Sequence, residues 1–597
     1  MKRLVILITA VICCCLLFAA PIYKMPLTLT QPNGTEFNCF ASGDEYVNWI
    51  HDAEGYIIIQ NPETGYYCYA DTLGDGSIYS TQTIVSTANK DIKGYIKSYY
   101  KKRKNESKNI RNSARSTYVS HDFNFPQAKA LANGNQVTIN NIVVFIRFAD
   151  QSEFTSDGFV YNKMFNSIHA DSVSVKKYFL ESSYNKLQVT SFFPQVSGVN
   201  ITSYQDSHNR SYYCKYDVST NPNGYTDSNL QNRKMTLFEN ALNSVKTAIE
   251  NTFTASQLDA DNNGYIDNIC FIISGGTEPW AQFLWPHKSY FTINYSIKGK
   301  YVSDYNVQIQ NHMLYDNYGV VCHEFNHTLG APDLYHSYNI DTNPVQGKPV
   351  GQWCLMANQY KTPQHMCAHI KYRYNHWIDN IPIITGDGTY TLHPLTSSTN
   401  NCFRINLQNS SEYLVLEYRK KDGLYENSLL YSGLLVYRID STKTGNYKGI
   451  GYGGGYNDEV YLYRENGNLN SNGNLSLVTF CQELDRREFH NLSNPNCFLS
   501  DGSLGNVTIS EVSTCGQTIS FNVCFCANDS IEYSNTNNLP ANTSANYVIS
   551  TNGNVIVKNG DNVTFEAGGE IILSDGFEVK SCGSFLAQPG TCIVNEY

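Results

Sequence analysis

Along most of the chain the apolar positions alternate or run in short blocks broken by Gly, Asn and Pro, the pattern of β-strands joined by tight turns. Residues 31–70 carry a dense set of short strands punctuated by Asn33-Gly34 and Glu54-Gly55. Residues 142–148 (IVVFIRF) form a continuous β-branched and aromatic run, which predicts a buried strand, and a second such strand is expected over 269–273. Helical spacing is confined to a few places. Residues 173–187 read as a helix with a breaker near Ser183, and 235–249 as a helix with Leu237, Ala241, Val245 and Ala248 on one face. A third helix is expected from about Tyr318 to Leu329, capped by Asp316 or Asn317. From about 386 to 526 alternation returns, as in 413–418 (YLVLEY) and 434–437 (LLVY), and predicts an antiparallel β-sandwich. Beyond 546, Val555, Val563, Ile571, Val579 and Phe585 step at near-regular intervals, with Gly560, Gly568, Gly576 and Gly583 at turns. That is a short β-repeat in which each coil buries the face of the next.

Composition narrows the class. A chain of 597 residues is too long for one core, so two to four domains are expected. With 41% hydrophobic residues, 16% charged residues and a net charge of -10, it has the balance of a globular extracellular protein and argues against nucleic acid as a partner. Lys2 and Arg3, an apolar run over 4–18, and Ala19-Ala20 read as a signal peptide over 1–20; the run is short for a bilayer span. Three of the 18 cysteines fall in that segment, and the remaining 15, an odd number, leave at least one free thiol beside a few disulfides. Residues 97–115 are rich in Lys and Arg and read as an exposed linker open to proteolysis. The glycine-rich 449–456 has no strand-to-helix setting and reads as a flexible hairpin, not a phosphate loop.

The chemistry concentrates in 320–336, VVCHEFNHTLGAPDLYH. His323 and His327 are one helical turn apart, so both imidazoles leave the same helix face and converge on one ion. Glu324 sits beside them, placed to take a proton from water activated by the metal. Gly330 stops the helix and Pro332 prevents its resumption, which swings Asp333 back as a third ligand; Tyr335, His336 or a later acidic residue are the alternatives. The pattern HExxHxxGxxD points to zinc. A second cation loop is expected at 258–267 (LDADNNGYID), where Asp259, Asp261, Asn263 and Asp267, with the Tyr265 carbonyl, follow calcium-loop order around Gly264. Cys270 stands where an EF-hand has its bidentate Glu, so a plain Asp/Asn-Gly turn is the competing reading.

At these residues the chain resembles the M6 family of secreted metallopeptidases, the immune inhibitor A type. Residues 350–357 (VGQWCLMA) are similar to the family's Met-turn, with Met356 beneath the metal; Ala368, Lys371, Tyr372 and Trp377 match a downstream pattern, and Trp285-Pro286-His287 an upstream one. Asn326 stands where the family usually has Gly. The resemblance implies an α+β zincin/metzincin-like catalytic domain over 116–385, followed by the β-sandwich over 386–526. It also implies that 21–115 is a prosegment with its basic linker, in which Cys39 or Asp44 would bind the metal until cleavage. Calcium, if bound, would fix the strand that follows its loop as the one nearest the cleft, and in enzymes of this type such an edge strand can hold an extended substrate by β-augmentation. The segment over 546–597 resembles the coat-hanger-like β-stack appended to surface and secreted proteins of Bacteroidetes-type bacteria, which implies a spacer or cell-surface association.

Together these readings predict a secreted zinc endopeptidase made as a zymogen and acting on protein or peptide substrates, with Glu324 as general base and Tyr335 or His287 as an oxyanion or substrate contact. The alternative is a surface-binding protein whose protease-like domain is vestigial.

Overall fold

The computed structural model describes residues 22–43, 48–61, 64–72, 78–85, 136–219, 221–276, 284–314, 318–336, 348–407, 410–446, 458–525, 530–545 and 548–589. It is a mixed α/β protein with many sheets and few helices. Residues 1–20, Asp44, 97–115, Asp316, Asn317 and 449–456, to which the sequence assigns roles, lie outside the described residues. Two compact units are present. The first runs to Ala331 and includes Asn358–Pro363; the second takes in 332–336, 348–357 and the chain from Gln364 onward.

The first unit opens with a six-stranded antiparallel meander, β1 (Ile22–Thr30), β2 (Glu36–Gly43), β3 (Asn48–His51), β4 (Ile57–Gln60), β5 (Tyr67–Thr72) and β6 (Ile78–Ile84), paired in chain order. Alternation along β2 turns Phe37, Cys39 and Ala41 to one face, where they pack with Met25, Leu27, Leu29, Ile58 and Tyr69. Trp285, from far along the chain, completes this core.

A mixed sheet follows, built from β7 (Val137–Arg147), β8 (Leu187–Phe192), β9 (Tyr204–Gln205), β10 (Asn268–Ile273), β11 (His287–Tyr290) and β12 (Asp304–Ile309). Its order is β9-β7-β10-β12-β11, with β8 also on β7. All neighbours are parallel except β11, which runs antiparallel on the edge. β10 is buried at every residue, as expected of a strand with neighbours on both sides. This corrects the expectation that the strand following the acidic loop is an edge open to substrate: β10 is central, and β11 is the edge. The intervening helices are α1 (Gly158–Asn166), α2 (Val175–Ser182), which stops at Ser183, and α3 (Leu230–Thr252), whose Met235, Phe238, Leu242, Val245 and Ile249 pack into the sheet core. Two further helices, α4 (Gln310–Leu314) and α5 (Tyr318–Thr328), continue from β12.

The second unit has a five-stranded sheet in the order Ile383–Ile384, Cys402–Asn406, Glu412–Arg419, Gly433–Asp440, Val460–Leu462. Beside it, Gly388–Leu392, Ile519–Cys524 and Thr508–Ser510 form a three-stranded sheet. Both sheets share one core through Leu414, Leu416, Leu434, Val436, Ile509, Phe521 and their neighbours. The pairing is antiparallel apart from Ile383–Ile384, which lies parallel on the edge. The two central strands do not present a solvated face, since Glu412–Arg419 and Gly433–Asp440 are buried at every position. The polar side is filled by paired charges: Arg419 bonds Glu426 at 2.6 Å and Arg438 bonds Glu412 at 3.0 Å. At the C-terminus, parallel ladders pair positions 22 residues apart, as Val555 with Phe577 and Val563 with Phe585, around Ile549, Val557 and Phe565. No helix among the described residues is long and apolar enough to cross a membrane.

His312, on α4, stands edge-on to Trp285 with its ring centroid 6.1 Å away. It is 1% exposed, and burial pushes its pKa down to about 3. Its folded value lies below the unfolded one near 6.5, so its contribution is intact above about pH 6.5 and is lost as pH falls, because the unfolded chain takes up a proton that the folded chain refuses. His312→Leu should remove this sensitivity: in urea titrations the wild type is expected to lose on the order of 3 kcal/mol more than the variant between about pH 7 and about pH 4.

Candidate metal centre

Helix α5 is buried from Gly319 to Thr328 and packs against β11, β12 and α2. Gly319 permits that seating, because a Cβ there would lie 2.1 Å from the Tyr360 carbonyl oxygen. Phe325 contacts Phe179 of α2 at 5.0 Å between ring centroids. The helix ends as its sequence dictates. Gly330 adopts φ +87°, its N–H donates to His327 O at 3.0 Å, and the Ala331 N–H donates to Asn326 O at 3.3 Å, the paired bonds of a glycine C-cap.

His323 and His327 face one another with their Nε2 atoms 3.1 Å apart. The Nδ1–H of His327 donates to Ala331 O at 2.7 Å, which leaves the lone pair on Nε2. Two imidazole nitrogens about 2.0–2.1 Å from one tetrahedral ion lie about 3.3 Å apart, so the observed approach fits a shared cation. Without one, the contact needs a proton on His323 Nε2 donated to the His327 lone pair, and a cation would take that proton's place. Ligand atoms of His323, His327 and Asp333 all lie within 4.8 Å of one another, and the donor set, two imidazoles and a carboxylate, suits zinc. Glu324, adjacent to the first histidine, is fully buried.

The stretch carrying Asp333 is held by its own anchors, all in the second unit. The Asn446 backbone N–H donates to Asp333 O at 2.8 Å, and its side-chain amide donates to Leu334 O at 3.1 Å and to Val460 O at 2.7 Å. The Leu334 N–H donates to the Met356 carbonyl at 2.7 Å, so the buried Met356 turn is tied to the residue after the carboxylate. Gly445, at φ +65°, lies so close that a Cβ would come within 2.7 Å of Asp333 O. His336 Nε2 bonds Asp458 Oδ1 at 2.7 Å. That contact engages one His336 nitrogen, and it is Asp333, not His336, whose ligand atom groups with the two histidines. Tyr335 is half-buried, two residues beyond Asp333.

A row of buried amides supports α5 from beneath. Asn141 of β7 donates to Ser191 of β8 at 2.9 Å, Asn268 of β10 donates to Asn141 at 2.6 Å, and Asn306 of β12 donates to Asn268 at 3.2 Å. Thr328, the last residue of α5, donates to the same Asn268 oxygen at 3.0 Å. The amides' only sign in the sequence is asparagine inside otherwise apolar strands.

Other expected site residues fare differently. His287 is 3% exposed, with Nδ1 on Trp285 O at 2.5 Å and Nε2 on Lys234 Nζ at 3.3 Å. Burial and the Lys234 charge hold its pKa well below the usual histidine range. Both ring nitrogens are thus taken, which makes it structural rather than a substrate contact. Cys39 lies in the interior of the N-terminal sheet, where burial pushes its thiol up to about 12. The thiolate that a zinc ligand needs is therefore disfavoured there.

The acidic loop does gather its carboxylates. Asp259, Asp261 and Asp267 form a buried group, and Lys300 Nζ sits 2.5 Å from Asp259. Burial, followed by the neighbouring Asp261 and Asp259, pushes the Asp267 carboxyl well above the ordinary range. Asn263 spends its side-chain oxygen on the Tyr265 N–H at 2.8 Å, which closes the turn.

No protein-family model matches the chain, and no curated protein matches it. Replacing Asn446 with Ala keeps the backbone bond to Asp333 O but removes the side-chain bonds to Leu334 O and Val460 O, which loosens the chain directly after the carboxylate. Such outer-shell losses weaken metal affinity about 10–100-fold, so chelator-competition titration should show Asn446→Ala binding zinc that much more weakly than wild type.

Proposed function

We propose that the protein is a metal-dependent hydrolase. More particularly, we infer a zinc endopeptidase of the zincin/metzincin type, similar to the M6 family, that is secreted in latent form. The observation that carries this reading is the opposed pair of His323 and His327 nitrogens at 3.1 Å, with Asp333 alongside and Glu324 next in sequence.

His323, His327 and Asp333 would hold the ion. Zinc in such a set acts as a Lewis acid toward water and the scissile carbonyl. Glu324, buried beside the first ligand, takes the proton from the attacking water at its carboxylate and returns it to the leaving amine. Among the described residues the antiparallel strand β11 is the edge of the mixed sheet, where an extended peptide would add once the cover over it is removed. Calcium at Asp259, Asp261 and Asp267 would offset the excess negative charge that Lys300 alone leaves.

Latency draws its support from burial. His323 and Glu324 are 0% exposed and Asp333 3%, so a substrate needs an opening that this arrangement does not provide. The N-terminal sheet packs on Trp285, two residues before β11, so its removal would uncover the approach to that edge. Cleavage in the basic stretch 97–115 would release it, in keeping with secretion and activation outside the cell.

The purified full-length chain should hydrolyse casein only after limited trypsin treatment and lose that activity to a zinc chelator. Glu324→Gln should retain zinc while hydrolysis falls about a thousandfold or more. Unchanged binding behaviour with no hydrolysis by nicked, zinc-loaded wild type would favour the surface-binding alternative instead.

A further inference from the structure

Away from the metal centre, Cys481 and Cys515 bring their sulfurs to 2.6 Å of each other. Two unbonded sulfurs keep about 3.6 Å apart, and two thiolates on one tetrahedral zinc, with Zn–S near 2.3 Å, lie about 3.8 Å apart. The observed approach is closer than either arrangement allows, and a covalent S–S bond of about 2.05 Å is the state that accommodates it. Glu483 makes the third member of the cluster. Its carboxylate accepts the Cys515 N–H at 3.0 Å and contacts the Cys481 sulfur, which fixes both cysteines around one base.

The two positions belong to different sheets of the second unit. Phe480 bridges Leu434 in the five-stranded sheet, which places Cys481 at that sheet's margin. Cys515 lies in the loop between Thr508–Ser510 and Ile519–Cys524 of the three-stranded sheet and packs against the shared core. Cys524, in the same sheet, is itself disulfide-bonded.

We propose that Cys481 and Cys515 form a disulfide that staples the two sheets together. In its formation Glu483 accepts the first thiol proton, and the resulting thiolate attacks a disulfide oxidant such as oxidised glutathione, expelling one glutathione thiolate. The second cysteine then displaces the other. Two S–H bonds are broken and one intramolecular S–S bond forms, while the oxidant's S–S bond is reduced to two thiols. The bond closes a segment spanning 34 positions and restricts the unfolded chain accordingly.

The test uses the full-length chain equilibrated with oxidised glutathione, then denatured, alkylated without reductant and digested with trypsin, which cuts between the two cysteines at Arg486 and Arg487. The expected result is a linked pair of peptides, with the bond located by fragmentation at Cys481 and Cys515. In thermal unfolding Cys481→Ser, Cys515→Ser and the double variant should lose the same roughly 5–10 °C, and reductant should bring the wild type down to them without affecting the double variant. Alkylation of both cysteines in the unreduced wild type would overturn the proposal. So would a stoichiometric zinc ion lost on Cys481→Ser, which would identify a metal clip instead. The peptide map needs no variant, so a variant that fails to fold does not blunt the test.

Discussion

The arrangement depends most on two imidazole nitrogens, His323 Nε2 and His327 Nε2, held 3.1 Å apart on a helix buried from Gly319 to Thr328. With the His327 lone pair on Nε2, that contact is favourable only when something positive, a proton or a cation, lies between the two nitrogens. The surrounding structure insists on it nonetheless. The Ala331 carbonyl fixes the His327 tautomer, the Gly330 cap turns the chain directly after the second histidine, and Thr328 anchors the helix end to the sheet. Together they make sense as supports for a cation.

Buried polarity recurs through the molecule, and two of its clusters are extensively paired. The amides of Asn141, Asn268 and Asn306 run across three adjacent strands, and a buried amide without a partner costs about 1–3 kcal/mol. Such a row therefore fixes strand register as firmly as apolar packing does. In the second unit Arg419 is fully buried, yet it is engaged by Glu426 and Glu417 and donates to Trp353 O at 2.6 Å, three residues before Met356. Glu459 is comparable: burial would raise its pKa, but the bond from His369 and the charge of Arg373 outweigh this and hold it low. It accepts the Gly445 N–H at 2.5 Å, just before Asn446. The same polar groups that organise the second unit thus also fix the backbone around Asp333.

Much of this was legible in the sequence where local physics decides the outcome. The i, i+4 histidines, the glycine stop and the return of Asp333 follow from helix geometry and capping, which a single chain encodes in consecutive residues. The strand over 142–148 and the helix over 235–249 were legible for the same reason, though both extend further, to Val137–Arg147 and Leu230–Thr252. What escaped is long-range. The central place of β10 depends on which strands pair across the sheet, and alternation within one strand carries no information on that. His287 is expected as an oxyanion or substrate contact, whereas Lys234, far off in sequence, and the Trp285 carbonyl engage its two nitrogens. Strands such as Glu412–Arg419 carry charged residues yet are buried at every position, because partners such as Arg438 and Glu426 come from other segments of the chain. The amide row and the role of Asn446 were invisible for the same reason, since Asn446 gives no local sign that it will bond a residue 113 positions earlier.

The most direct test of the central claim is X-ray absorption and anomalous scattering at the zinc edge on the purified protein loaded with one equivalent of zinc. The account predicts a single ion about 2.0–2.1 Å from two imidazole nitrogens and about 2.0–2.2 Å from a carboxylate oxygen, with the anomalous peak between His323, His327 and Asp333. An ion coordinated elsewhere, or a zinc spectrum showing no histidine nitrogen in its first sphere, would contradict it.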